Sequence, residues 1–337
     1  MLVRAGYLDA VGVHGMLPLS RGAPDDLELL PGPVATLVST FARHGAVVRE
    51  ALEAALGDAE LCAALLRLGV VLDRGGRLST GDLVALPLDG RIAFVPSPHA
   101  SPDAYVGPDL RQLFQRMAPT PGDALVLGGG VGLYALRAAV TARRVVTVES
   151  DPVAAGCAEL NFAMNAVEAR VESRTGAVFD VGVERFDRVV ADLPQSPVPL
   201  HGTSVYEGLD GPEVARRVLA LLPDLLADGG IAQLSCAWHG TPDGPDFGLD
   251  LGGFAVEHGL RIAVTAASRQ SLAGGGPLLE RLAARAARIA RTTPAALRQR
   301  FVDHVGGRGS SYLYPTFMTV SRVAPAGAAV TRHYAAR

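Results

Sequence analysis

Ten consecutive residues decide the fold: Leu127, Gly128, Gly129, Gly130, Val131, Gly132, Leu133, Tyr134, Ala135 and Leu136. They join an apolar run, Ala124 to Leu127, to a stretch with apolar residues at helical spacing. Glycines between a buried strand and a helix let a ligand approach the backbone with no Cβ in the way. The next strand, Arg144 to Val148, ends in Glu149, twenty-one residues after Gly128. A carboxylate there can accept hydrogen bonds from two ribose hydroxyls. Together these features predict an adenosine-containing ligand lying across the first two strands. Two ligand classes share the layout. One is NAD, because Gly130, Gly132 and Ala135 satisfy G-x-G-x-x-A. The other is S-adenosylmethionine.

Outward from this loop the chain alternates. A helix runs on to Ala142, and another spans Val153 to Met164. Strands follow at Arg170 to Ser173 and Arg188 to Ala191, the latter ending at Asp192. Then come a helix from Glu213 to Leu226 and strands at Ile231 to Ala237 and Leu260 to Ala267. Helices at about 277–291 and 294–304 precede a last strand, Tyr312 to Val323. Alternation of this kind implies a parallel α/β sheet with helices on both faces. Ligands in such sheets sit at the carboxyl ends of the strands.

The N-terminal third reads differently. Helices from Pro31 to Ala42, Val48 to Leu56 and Ala59 to Leu68 are followed by short strands around Val70, Leu83 to Leu88 and Ile92 to Val95. Helices before a β-ribbon make residues 1–100 a winged-helix-like module. Its 57–68 segment carries Asp58 and Glu60 against a single Arg67, too little positive charge for a DNA-reading helix. A lid or packing role is the expectation. The Pro-rich stretch 96–108 marks a linker, so the second domain spans 101–337 with a helical insertion at about 277–305.

Composition narrows the chemistry. The chain has 337 residues, 49% hydrophobic and 19% charged, enough for a large core. It contains no Lys, which excludes a Schiff-base lysine and a P-loop lysine. A net charge of -3 makes nucleic acid an unexpected partner. Cys62, Cys157 and Cys236 are too scattered for a C-x-x-C metal site or a disulfide framework, so no metal is expected. No apolar run reaches membrane-spanning length, and the first twenty residues, with Asp9 and His14, make a poor signal peptide. A cytoplasmic location is the expectation.

Later motifs favour the sulfonium cofactor. The runs VLGGGVG, VVTVESD, ELNFAMNAV, RFDRVVADLPQSP and YEGLDGPEVARRVLALLPDLLADGGIAQL follow one another between residues 126 and 234. In that order and spacing, residues about 104–240 resemble the class I S-adenosylmethionine-dependent methyltransferases. The nearest group holds the release-factor glutamine N5-methyltransferases and the ribosomal RNA guanine-N2 methyltransferases. The resemblance implies a Rossmann-like, seven-stranded methyltransferase sheet. It implies that Gly128, Gly130 and Gly132 line the methionine part of the cofactor, that Glu149, with Ser150 beside it, holds the ribose, and that Asp192 sits beside the transferring methyl. Tyr105 falls where related enzymes close over the cofactor.

Three positions depart from the group's pattern. Val126 stands where an acid is usual, two residues before the first glycine. Ala177, with Asp180 three residues on, stands where an acid often contacts the adenine amine. In the fourth-strand motif, normally Asn/Asp-Pro-Pro-Tyr/Phe, Leu193 replaces the first Pro and Gln195 the aromatic. Asp192 keeps the acceptor for a planar NH2, but the stacking ring is gone. That argues against a nucleobase or a glutamine amide and leaves another amine as the acceptor. Pro194, Gln195, His201 and Tyr206 are the expected substrate contacts. Asp192, Glu207 and His239 are the candidate catalytic groups, since transfer from an activated methyl needs positioning and, for a protonated acceptor, a base.

Arg281, Arg285, Arg288 and Arg291 fall on one helical stripe. They read either as a solvated face or as a dock for a polyanion, RNA or an acidic carrier protein, and with no Lys and a net charge of -3 a protein partner is favoured over RNA. The Ala-, Gly- and Arg-rich composition points by association to a GC-rich bacterial source and to specialised metabolism. The expectation is therefore a methyltransferase acting on the nitrogen of a small molecule. Three rivals stand beside it. One is an RNA or protein methyltransferase like the resembled group. Another is a catalytically silent cofactor-binding or regulatory protein, in keeping with Val126 and Ala177. The last is an NAD oxidoreductase.

Overall fold

A computed structural model describes residues 30–43, 45–88, 90–96, 108–196, 209–272, 277–289, 292–307, 309–324 and 327–334. The chain divides into two compact units. Met1–Gly107 with Leu160–Ala166 form one, and Pro108–Glu159 with Val167–Arg337 the other.

The first unit contains helices α1 (Gly32–Ala42), α2 (Arg49–Leu56) and α3 (Ala59–Arg67). Strands β1 (Val47–Val48), β2 (Leu72–Asp73) and β3 (Arg77–Ser79) form an antiparallel sheet in the order β1-β3-β2. A hairpin pairs β4 (Leu83–Leu88) with β5 (Arg91–Pro96). Gly57 ends α2 in the left-handed region, and the Asp58 carboxylate caps α3 by accepting the Leu61 N–H at 3.0 Å. Leu37, Phe41, Leu52, Cys62, Leu78 and Phe94 are buried in one cluster. Asn161 accepts the Phe94 N–H at 2.7 Å and donates to the Phe94 carbonyl at 2.8 Å. That pair of hydrogen bonds satisfies both free backbone groups of an edge residue with one buried side chain.

The second unit is built on β6 (Asp123–Leu127), β7 (Arg144–Glu149), β8 (Val171–Thr175), β9 (Phe186–Asp192), β10 (Leu226–Thr241), β12 (Leu260–Ala266), β14 (Tyr312–Arg322) and β15 (Ala329–Tyr334). They lie in the order β15-β12-β14-β10-β9-β6-β7-β8. Within that order only the pairings made by β14 are antiparallel. The two-residue strands β11 (Gly244–Pro245) and β13 (Gln270–Ser271) pair with β10 and β14. The central strands read as near-continuous apolar runs because both of their faces are covered. Helix α7 (Gly211–Leu225) buries Val214, Val218, Leu219, Leu222 and Leu225 in the main core. Each such side chain contributes about 1.5–3 kcal/mol.

The expected α/β sheet is present, with differences at its margins. Strand β15 makes eight strands where seven are expected. Its Thr331, Arg332 and His333 are exposed, so no apolar pattern marks it. Helix α8 (Leu251–His258) was not among the expected elements, and its Gly252 and Gly253 are poor helix formers. The Asp250 carboxylate offsets them by accepting the Gly252 N–H at 3.0 Å, and Gly259 closes the helix in the left-handed region. Helix α4 (Pro108–Arg116) follows directly on the expected linker, whose residues 97–107 lie outside the described ones. Helix α5 (Leu133–Ala138) stops four residues before the expected Ala142, and β10 begins five before the expected Ile231. Helix α6 spans Pro152–Met164. Helices α9 (Pro277–Ile289) and α10 (Pro294–Gly307) pack on each other through Leu279, Ala283, Ala286, Leu297 and Phe301. No helix among the described residues is long and apolar enough to cross a membrane.

Candidate functional site

Strands β6, β7 and β9 are neighbours, so their carboxyl ends bring Gly128, Glu149 and Asp192 to one edge of the sheet. The glycines there have separate reasons. Gly128, Gly130 and Gly132 all have positive φ, at 64°, 52° and 85°. Gly129 does not, but a Cβ on it would lie 2.0 Å from the Thr147 hydroxyl of β7. A Cβ on Gly130 would meet no atom within 4 Å. The loop is therefore packed tightly against the sheet at Gly129 and open one residue later.

Glu149 is buried and holds this loop. Its Oε2 accepts the Gly130 N–H at 2.6 Å, and its Oε1 accepts the Asp151 N–H at 2.8 Å. The Ser150 hydroxyl lies 3.5 Å from the same Oε1. A carboxylate has about four acceptor positions; the two N–H groups take two and the Ser150 hydroxyl a third, so two further hydroxyls fit once Ser150 turns aside. The loop after β8 borders the glycines with an apolar group: Val178 Cγ1 is 3.9 Å from the place of a Gly128 Cβ. Ala177 accepts the Asp180 N–H in a turn, and Asp180 is exposed. Val126 is wholly buried in β6, where an acid would need a partner.

At the end of β9, the Tyr134 hydroxyl donates to Asp192 Oδ2 at 2.7 Å. Tyr134 belongs to the glycine-loop helix, so one side chain fixes the carboxylate to the loop. Leu193 is buried in the core, and its N–H donates to the Ser235 carbonyl at 2.8 Å. The Gln195 amide donates to the Ser235 hydroxyl at 3.3 Å. Gly211, the first residue of α7, could carry no side chain, since a Cβ would lie 2.3 Å from the Pro194 carbonyl oxygen. Its N–H donates to the Ser196 carbonyl at 2.8 Å. The Asp-Leu-Pro-Gln loop is thus clamped between β10 and the start of α7.

Ser235 is the β10 residue level with Asp192. His239 stands four residues further along, roughly 13 Å at strand rise. It is buried, and its ring lies 6.0 Å from the ring of His304. The Nε2 of His304 is 3.1 Å from Asp210 Oδ2, and Asp210 Oδ1 caps α7 by accepting the Glu213 N–H at 2.8 Å. An imidazole oriented by a buried carboxylate is a recurring base geometry. Cys236 is no nucleophile, because burial pushes its thiol up to about 12.

Sequence reading missed Tyr134, Asp210, Gly211, Ser235 and His304. Tyr134 was visible as a hydroxyl among the apolar Leu133, Ala135 and Leu136. Asp210-Gly-Pro was visible as a cap before a helix. The contact of Asp210 with His304, 94 residues apart, left no local trace. The expected Tyr105, His201, Tyr206 and Glu207 lie outside the described residues, as does Arg291. Arg281, Arg285 and Arg288 fall in α9, with their side chains outside the description.

No family model matches the chain. Over 89 residues it is 35% identical to the tRNA1(Val) (adenine(37)-N6)-methyltransferase of Porphyromonas gingivalis, a stretch that makes up 24% of this chain and 35% of that protein. The chain thus spans about a third of the length of this curated relative. Among solved structures, the M. jannaschii tRNA m1G37 methyltransferase aligns at 13% identity and a TM-score of 0.42, covering 72% of this chain and 57% of its own. A Pyrococcus horikoshii protein described as a transferase aligns at 14% and 0.44, covering 89% and 97%. A Galdieria sulphuraria protein described as a sarcosine dimethylglycine methyltransferase aligns at 14% and 0.40, covering 63% and 84%. Likeness at these identities and scores carries no argument about substrate.

Proposed function

We propose that the chain is an S-adenosylmethionine-dependent methyltransferase acting on nitrogen, with a small amine as acceptor. The observation that carries this reading is Gly130, whose N–H is held by Glu149 at 2.6 Å while the space where its Cβ would stand is open to 4 Å. The residues fit the cofactor. With the Ser150 hydroxyl turned aside, Glu149 has lone pairs for two ribose hydroxyls, and the three positive-φ glycines leave the backbone uncovered. When bound, the group supplies a methyl already activated on a cationic sulfur.

What remains for the chain is positioning and exclusion of water. Asp192, held by Tyr134, accepts an N–H of the acceptor and turns its lone pair toward the methyl. A protonated amine must first lose a proton; His304, oriented by Asp210 with the His239 ring 6.0 Å away, has the geometry of a base and would act on the amine before it seats against Asp192.

A second reading is favoured by the Porphyromonas gingivalis relative, named for an adenine N6 of a tRNA. An exocyclic base amine would use Asp192 in the same way. Against this reading stand Gln195, which offers no ring for a base to stack on, and the net charge of -3.

Calorimetry with S-adenosylhomocysteine tests the reading. Micromolar binding to the wild type that Glu149→Ala weakens at least tenfold supports it. No binding, with NADH binding instead, overturns it. Methyl transfer to small amines against a tRNA transcript then separates the two acceptors.

A further inference from the structure

Arg188 is an anomaly in β9. It stands in Phe186–Asp192 just before the apolar Val189, Val190 and Ala191, is 7% exposed, and is paired with neutral groups. Its Nε donates to the Thr120 hydroxyl at 2.8 Å and its Nη1 to Gln233 Oε1 at 3.1 Å. Among the described residues no carboxylate pairs with it, and burial alone holds its guanidinium below the ordinary arginine range. A buried cation without a counter-charge is unfavourable, and guanidinium does not escape by losing its proton. Gln233 is itself committed, since its amide donates to the Arg116 carbonyl at 2.6 Å and its Oε1 accepts the Ala118 N–H at 3.1 Å.

Beside Arg188 lies a cavity of about 130 Å³. Met117, Thr120, Arg137, Val140 and Thr141 line it with Arg188, and none of its described lining residues is acidic. Its lining therefore includes two arginines, two threonines and apolar side chains; the Arg137 guanidinium also lies over the Phe114 ring at 5.3 Å, and the Thr141 hydroxyl accepts the Thr120 N–H at 3.0 Å while keeping its own proton to donate. The cavity sits at the amino end of the sheet, where Ala124 of β6 faces Arg188 of β9, the end opposite the glycine loop.

We propose that this cavity binds a small organic anion, an oxyanion on an apolar body, with Arg188 and Arg137 holding the charged end. A planar guanidinium matches the two oxygens of a carboxylate or a phosphate monoester. The apolar wall selects for a hydrocarbon part and against a bare inorganic ion. The site does not depend on the methyl-transfer reading, because no group of the glycine loop takes part in it.

The test uses the full chain, thermal unfolding and calorimetry, with benzoate, phenyl phosphate and inorganic phosphate at matched ionic strength. Benzoate separates a carboxylate ligand from the phosphate monoester that phenyl phosphate represents. The expected result is a rise in Tm with one of these two organic anions, through binding to the folded state, and a smaller rise with inorganic phosphate. Arg188→Met is expected to lower affinity for that anion at least tenfold while retaining S-adenosylhomocysteine binding. Arg137→Gln, which leaves the buried pairing of Arg188 intact, is expected to lower it at least threefold. Three results would each overturn the proposal: no anion-specific rise in the wild type, an equal rise with inorganic phosphate, or undiminished affinity in Arg137→Gln. The last holds even if Arg188→Met fails to fold.

Discussion

The two halves of the candidate site are made of different material. On the β6–β7 side, the loop is backbone. Its glycines have positive φ or sit against a neighbour, and one carboxylate, Glu149, ties two N–H groups. On the β9–β10 side, the loop is held by side chains and backbone from distant parts of the chain: Tyr134 on Asp192, Ser235 on Gln195, Gly211 under Pro194, and Asp210 on His304. The first half can hold a ligand of fixed shape. The second can change its acceptor by changing a few side chains while the sheet beneath stays the same. If so, substitutions in one half should leave the function of the other standing.

Asp192→Asn is the sharpest test. It keeps the shape and lets Tyr134 still donate, but it removes a charge-assisted acceptor. We expect methyl transfer to fall on the order of 10²-fold, about 2.7 kcal/mol in the barrier, with S-adenosylhomocysteine affinity within threefold of wild type. A larger loss of cofactor affinity than of turnover would mean that the boundary between the halves runs elsewhere.

The difference in material also explains what was legible. Strands β6, β7 and β9 announced themselves because parallel strands buried on both faces must be runs of Val, Leu and Ala. Gly128 to Gly132 and Glu149 were readable because one short stretch and the end of the next strand make the whole arrangement. The acceptor side was only half readable. Asp192 and Gln195 stood in a motif, but Tyr134 reaches Asp192 across 58 residues and His304 reaches Asp210 across 94. Side-chain contacts over such separations leave no period in the sequence. Strand β15 escaped for a related reason, since its polar exposed residues carry no burial pattern. Arg188 opens the strand as the sequence reads it, Arg188 to Ala191, where a charge is ordinary; β9 begins two residues earlier, at Phe186, which carries Arg188 into the buried part of the sheet.

Within the backbone half, two neighbouring glycines should behave oppositely. Gly129→Ala puts a methyl 2.0 Å from the Thr147 hydroxyl inside the sheet, and overpacking of that kind costs roughly 1–3 kcal/mol. Gly130→Ala meets no neighbour, so its cost to stability is the backbone penalty for φ of 52°, about 1–2 kcal/mol. Its larger effect should be on S-adenosylhomocysteine affinity, because the methyl fills the open space. Chemical denaturation and calorimetry on both variants decide it. Equal loss of affinity at equal stability would make the loop a plain turn.

The smallest effect should appear where neither half is involved. Arg144 and Arg174 form a quartet with Glu172 and Glu184, at 2.8 Å for Arg144 to Glu184, 2.7 Å for Arg174 to Glu172 and 2.6 Å for Arg174 to Glu184, with Arg144 also bonded to Glu172. Hydrogen bonds from Arg174 first and Arg144 second hold both glutamates below the ordinary carboxylate range. A pKa lowered on folding adds stability above the unfolded value, near 4.5, and that stability is lost as pH falls through the folded value. Stability measured from pH 6 downward should therefore begin to fall near pH 4.5. Glu184→Gln should flatten part of that fall. The four side chains are between about a quarter and a half exposed, so screening keeps the contribution below about 1 kcal/mol per pair, and high salt should shrink it further. Cofactor affinity at neutral pH should not move in Glu184→Gln. If it did, the outer strand β8 would be coupled to the glycine loop, and the backbone half would extend beyond the two strands that carry it.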